Sequence, residues 1–131
     1  MSAPPIRTDR IRLVVFVKRR PDLTREEFLS YWREKHAPLF MSLAIAKSNI
    51  LKYEQLHPNE AGIGSFAAMG LDVPEYDGVG VFEARSFADI LAIYSDEDYL
   101  KRVQPDEEKF IDKTPGVSQV WPLTIVTAID K

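Results

Sequence analysis

The sequence predicts an α+β domain of ferredoxin-like order, β-α-β-β-α-β, whose sheet is covered by helices on one face only. Three observations predict it. Four segments have strand composition: RIRLVVFVKR, ILKYEQLHP, YDGVGVFEAR and VSQVWPLTIVTAI. Stretches with helical periodicity and start signals lie between the first and second of these and between the third and fourth, which is the order of the split β-α-β unit. Apolar Val, Ile and Leu also occupy strand positions that a single helical layer does not reach, and that uncovered side implies a partner. Two such sheets packed face to face would close a dimeric α+β barrel.

Residues 1–9 hold two prolines and few large apolar groups, so they read as a flexible N-terminal tail, with residues 10–131 as one domain. In the first strand Ile11, Leu13, Val15 and Val17 share one face, and Arg12, Val14, Phe16 and Lys18 the other. Both faces are apolar in the middle, which predicts a central strand covered on both sides. The run VKRRPDLTREEFLSYWREKHAPLF follows. Thr24 with Glu27 makes a capping box, and Leu23 with Phe28 a hydrophobic staple. Phe28, Trp32, His36, Leu39 and Leu43 then form one apolar stripe whose single titratable group is His36. Pro38 lacks a backbone donor and crowds the preceding turn, so a kink or break is expected there, just past His36. The helical pattern continues to about Lys47.

The second strand places Leu51, Tyr53, Gln55 and His57 on one face, which fits either a pocket lining or an exposed aromatic-bearing face. Residues 58–74 carry three glycines and many small side chains. They read as a mobile cover over a pocket, or as a short helix near Ser65 to Met69 between flexible ends. On the third strand, glycines at 78 and 80 thin one face, a sign of close approach by a backbone or ligand. Ser86 caps the next helix, Ser95 or Asp96 another, and Pro105 opens a further turn, DEEKFID, whose first acids suit the helix dipole. Pro122 in the last strand predicts an edge or a bulge.

Composition narrows the function. With 131 residues, 45% hydrophobic and 28% charged, the chain has the make-up of one soluble globular domain. A net charge of −3 with interspersed signs argues against a nucleic-acid surface. Cysteine is absent, which removes disulfides, thiol catalysis and thiolate metal sites. Two histidines 21 positions apart make a weak metal site, so none is expected. There is no G-x-G-x-x-G or Walker run, and in GIGSF the serine follows the second glycine, unlike a nucleophile elbow. MSAPPIRTDR lacks the apolar core of a secretory signal, and no window approaches the roughly 20 apolar residues of a membrane span, so a cytoplasmic protein without a membrane partner is expected.

Candidate chemistry rests on a few residues. His36 can exchange a proton near neutral pH, or can simply bond a last-turn carbonyl of its helix. Tyr53 can hold an oxyanion or phenolate oxygen, with His57 beside it; as alternatives, Tyr53 is core and His57 a solvated strand end. Asp106 can orient an imidazole or serve as a first-turn helix acid, and Glu83 and Asp77 are further acids for that role. Phe16, Trp32, Phe40, Leu43 and Tyr99 are candidates for an apolar wall that binds an aromatic ring, or for ordinary core.

The run KRRPDLTREEFLSYWREKHAPL is similar to the opening of EthD-type proteins of the dimeric α+β barrel superfamily, over residues 11–40. KYEQLHPN, YDGVGVFEA and PDEEKF further resemble the fungal branch found in aromatic polyketide pathways, described as cofactor-free decarboxylases of anthraquinone-type acids. The resemblance implies that His36 faces a pocket. It also implies a homodimer and decarboxylation of an aromatic polyketide carboxylic acid without a cofactor; His36 would be the proton donor, Tyr53 with His57 would hold the oxygens, and Asp106 would orient His36 in that catalytic set. Polyketide cyclisation, cofactor-free oxygenation, or a non-catalytic role in binding a metabolite are the alternatives.

Overall fold

The computed structural model describes residues 2–131. Four antiparallel strands form one sheet in the order β2-β3-β1-β4, with helices packed on one face. The expected ferredoxin-like α+β fold is present. Strand β1 (Ile11–Val17) is central, between β3 (Gly78–Ala84) and β4 (Gln119–Leu123), while β2 (Lys52–Leu56) lies outside β3. Pro122 falls in β4, an edge strand, where a missing ladder donor is tolerated. Within the N-terminal segment, Ile6 bridges to Val126 and the Arg7 N–H donates to the Ile125 carbonyl at 2.9 Å, so the chain is tethered there.

Helix α1 (Arg25–Tyr31) starts at a complete capping box: the Glu27 N–H donates to Thr24 Oγ1 at 3.1 Å, and the Thr24 N–H to Glu27 Oε1 at 2.9 Å. The kink or break expected at Pro38 takes the form of a change in winding rather than an end of the helix. A π-helical turn, Trp32–His36, intervenes, and the Ala37 N–H reaches back to the Trp32 carbonyl. The wider turn makes room for the proline ring and absorbs its missing donor, so the helix runs on as α2 (Ala37–Met41). The chain leaves helical geometry at Leu43 (ψ 133°), then forms α3 (Ala44–Asn49).

The same device recurs after α5 (Phe87–Tyr94). The turn Tyr99–Val103 is also π-helical, the Gln104 N–H bonds the Tyr99 carbonyl, and Pro105 opens α6 (Gln104–Glu107). Residues 58–74 hold α4 (Glu60–Ala68), longer than the Ser65-to-Met69 turn expected, because the Asn59 side chain caps it by accepting from the Gly62 N–H at 3.0 Å. Gly70, at φ 83°, ends it in the left-handed region.

Pleating divides the sheet. Leu13, Val15, Val17, Gly78, Gly80 and Phe82 face the helices. The glycine pair makes way for Trp32, since a Cβ on Gly78 would overlap Cζ3 of the indole. The thinned face therefore admits a side chain of this same chain. On the opposite face Val14, Val81 and Trp121 lie directly across from one another, and Trp121 is 59% exposed.

Candidate active site

The two π turns bring together a buried imidazole and a buried carboxylate. His36 closes the first turn and Asp106 follows Pro105 just past the second. His36 Nδ1 lies 2.9 Å from Asp106 Oδ2, and both side chains are buried. The Tyr31 hydroxyl donates to Asp106 Oδ1, and Lys109 Nζ stands 3.7 Å from that oxygen. Burial pushes the Asp106 carboxyl up, but hydrogen bonds from Tyr31 and His36, with the charges of His36 and Lys109, outweigh it and hold the group below its usual range. The carboxylate therefore stays ionised and accepts a hydrogen bond from Nδ1–H, which leaves Nε2 as the nitrogen with exchangeable chemistry. Among the described residues Nε2 has no hydrogen-bond partner.

His36 lines a mainly apolar cavity of about 90 Å³ between the helices and the sheet, together with Leu13, Trp32, Phe40, Tyr53 and Phe82. The Tyr53 ring stacks on Phe82 at 4.7 Å and meets Phe40 edge-on at 5.5 Å, which fixes its plane. Burial raises the Tyr53 phenol, partly offset by hydrogen bonds from Gln55 and Trp32, so it stays protonated at neutral pH. At the far end the Tyr99 hydroxyl donates to Glu107, 3.0 Å from Oε2, and Lys113 Nζ pairs with Glu107 at 2.7 Å. Burial, then the Glu107 charge, raises Tyr99 strongly. Here the cavity adjoins a cleft of about 370 Å³, which shares the lining residues Val15, Val17, Tyr94, Tyr99, Glu107 and Ile111.

The EthD domain profile matches residues 20–114, most of the chain and all of the dyad. The chain belongs to the EthD family. It is 27% identical over 104 residues to the conidial pigment biosynthesis dehydratase EthD of Metarhizium robertsii, covering 76% of this chain and 72% of that protein. Among solved structures it is similar to an EthD-family protein of Bacillus halodurans (TM-score 0.58, 10% identity, 86% of this chain and 95% of that one). It is also similar to a dimeric ferredoxin-like protein of unknown function from Bacteroides fragilis (TM-score 0.58, 13% identity, 92% and 100%). At these identities the structures speak for the fold alone.

In this EthD domain, the predicted residues His36, Tyr53, Trp32, Phe40 and Tyr99 line one cavity, with Asp106 behind His36. Three others lie elsewhere. Phe16 is on the opposite sheet face, against Tyr76 and Trp121, because β1 is apolar on both faces and its parity did not show which side the helices cover. Leu43 is packed in the core with Phe40, Ala46 and Val103 rather than on the cavity wall. His57 is exposed and stacks on the outer side of Trp32, with ring centroids 5.4 Å apart; burial, then Arg33, lowers its pKa. Asp77 and Glu83 are held by arginines away from His36. Sequence reasoning missed Tyr31, Tyr94 and Glu107. Tyr99, Val103 and Glu107 recur at four-residue steps, so helical spacing could have singled out Glu107 from its acidic neighbours. Among the described residues no group of three or more His, Asp or Glu side chains is placed to hold a metal ion.

Proposed function

We propose that this EthD protein is a cofactor-free lyase that removes the carboxyl group of an aromatic polyketide acid, with His36 as the proton donor. The supporting observation is the buried His36–Asp106 pair, 2.9 Å apart, whose free imidazole nitrogen serves an apolar cavity. In such a site the substrate carboxylate, poorly solvated, departs as CO₂. The bonding pair passes into the ring system as an enolate or phenolate. Tyr53 donates a hydrogen bond to that oxygen, and protonated His36 delivers Nε2–H to the carbanion carbon. Neutral His36 is then reprotonated from water, so the cycle balances with one proton consumed and one CO₂ released. Trp32, Phe40 and Phe82 would stack on the flat rings.

A second reading, loss of water from a β-hydroxy ketone of the same class, draws on the Tyr99–Glu107 pair. There His36 would act as base at the α-carbon, and Tyr99 would protonate the departing hydroxyl. The fungal relative's name, a dehydratase, favours it. The proposal also includes a homodimer formed through the open sheet face. Sedimentation should then give twice the chain mass, and Trp121→Asp should give the monomer.

The deciding test is to incubate the purified protein, without added cofactor, with an anthraquinone-type carboxylic acid and follow products by mass. Loss of CO₂ with wild type but not with His36→Ala supports decarboxylation. Loss of water transfers the assignment to dehydration, and an unchanged substrate sinks both.

A further inference from the structure

Tyr53 and Gln55 share one face of β2, His57 follows just past its end, and their hydrogen bonds allow only one arrangement of donors. The Gln55 amide nitrogen lies 3.0 Å from the Trp32 carbonyl oxygen. That oxygen, which also receives the Ala37 N–H of the π turn, can only accept. A flipped amide would set oxygen against oxygen, so the NH₂ end must face Trp32. Two further assignments follow. The second N–H of the amide points to Tyr53 Oη, 3.0 Å away, so the phenol oxygen accepts there. The amide oxygen faces His57 Nε2 at 3.0 Å, so that nitrogen must carry a proton and donate. Among the described residues the Tyr53 proton has no acceptor, and the ring lines the cavity.

We infer that Gln55 is a positioning residue that commits the Tyr53 hydroxyl to donating into the cavity, and that His57 acts on the site only by holding Gln55. This rests on the reading above, in which Tyr53 binds the oxygen where charge develops. An oxyanion donor is effective when its proton is already aimed and no other acceptor competes for it. Gln55 presents its N–H rather than its oxygen to the phenol, so the amide does not itself compete for the Tyr53 proton. The π turn has a second use here, since the Trp32 carbonyl that anchors the amide is the one that closes the turn before Pro38.

Gln55→Glu tests this by reversing the polarity at nearly constant volume, because a carboxylate would accept the Tyr53 proton and draw it away from the cavity. Turnover should fall about tenfold or more, to the level of Tyr53→Phe. The double variant Tyr53→Phe/Gln55→Glu should be no slower than Tyr53→Phe alone, since both changes remove the same interaction. In protein labelled with ¹³Cζ-tyrosine, the Tyr53 resonance, assigned by its loss in Tyr53→Phe, should move in Gln55→Glu. Gln55→Met, which keeps the volume without charge, should give a smaller loss in the same direction, and it carries the test if the glutamate variant does not fold. Independent, multiplicative losses in the double variant, or an unmoved Tyr53 resonance, would overturn the inference. Full turnover by Tyr53→Phe with a shifted resonance in Gln55→Glu would remove the oxygen-binding role of Tyr53 and leave the orientation by Gln55 standing.

Discussion

On the open face of the sheet Glu83 is gripped by Arg10 and Arg12, at 3.1 and 2.7 Å, whereas beneath the helices Asp106 is held by the Tyr31 hydroxyl and the His36 imidazole. The two carboxylates are almost equally withdrawn from water, at 1% and 7% exposure. Burial raises each pKa and its partners lower it, with the partners prevailing in both cases. What differs is the company. Guanidinium groups never release their protons, so the Glu83 cluster has no proton to pass on and can only hold strands together. An imidazole can pass a proton through its second nitrogen while the first stays bonded, so the Asp106 cluster is built for proton transfer. Asp77, between Arg19 and Arg25, is of the first kind. A buried carboxylate thus points to chemistry only when its partner can pass on a proton.

The comparison is broken most directly by changing one cluster at a time. His36→Ala is expected to lower turnover by about 10²- to 10⁴-fold while the circular dichroism spectrum stays that of wild type. Retained turnover would place the chemistry elsewhere. Glu83→Gln should act in the opposite sense, costing about 1–3 kcal/mol in urea denaturation while the folded fraction keeps its turnover. Gly78→Ala should cost about 1–3 kcal/mol by overpacking against Trp32, and it should alter near-ultraviolet ellipticity as the indole is displaced. Tyr31→Phe removes one of two donors to Asp106, and a few-fold loss of turnover is expected, of the size of one net hydrogen bond.

Acidification sharpens the same contrast. The pKa values of Glu83, Asp77 and Asp106 are all lowered from their ordinary values of 4.5, 3.8 and 3.8. A depressed folded-state pKa contributes stability that is fully present above the unfolded value and is lost as pH falls through the folded one. Urea midpoints should therefore be level near neutrality and fall below about pH 4.5, more shallowly in Glu83→Gln than in wild type. An equal slope in the two proteins would deny Glu83 its share.

Much of the fold was legible because its signals are local. The Thr24–Glu27 box, the Ser86 cap and the edge position of Pro122 each follow from one or two side chains, and each is present. Pro105 opens a helical turn as expected, whereas at Pro38 a change of winding takes the place of a break, for a physical reason. A π turn can absorb the missing donor, and nothing in WREKH or YLKRV announces that wider winding. The site was half legible on the same grounds. His36 was the one titratable group on an apolar stripe, and Asp106 was one acid of three in a row. The two residues are 70 positions apart and meet through two separate turns, which no local pattern encodes. Phe16 and Val15 look alike as candidates until the helices choose a face.

The chain has two tryptophans, and the pleat of the sheet assigns one to each side. Trp32 forms part of the cavity wall, wedged over Gly78, while Trp121 stands on the open face. Intrinsic fluorescence therefore carries two separate optical channels. Quenching of Trp32 by a coloured polycyclic ligand would report filling of the cavity. A blue shift of Trp121 on raising the protein concentration would report the covering of the other face. With Trp121→Phe or Trp32→Phe, each event can be watched alone in an otherwise unlabelled protein.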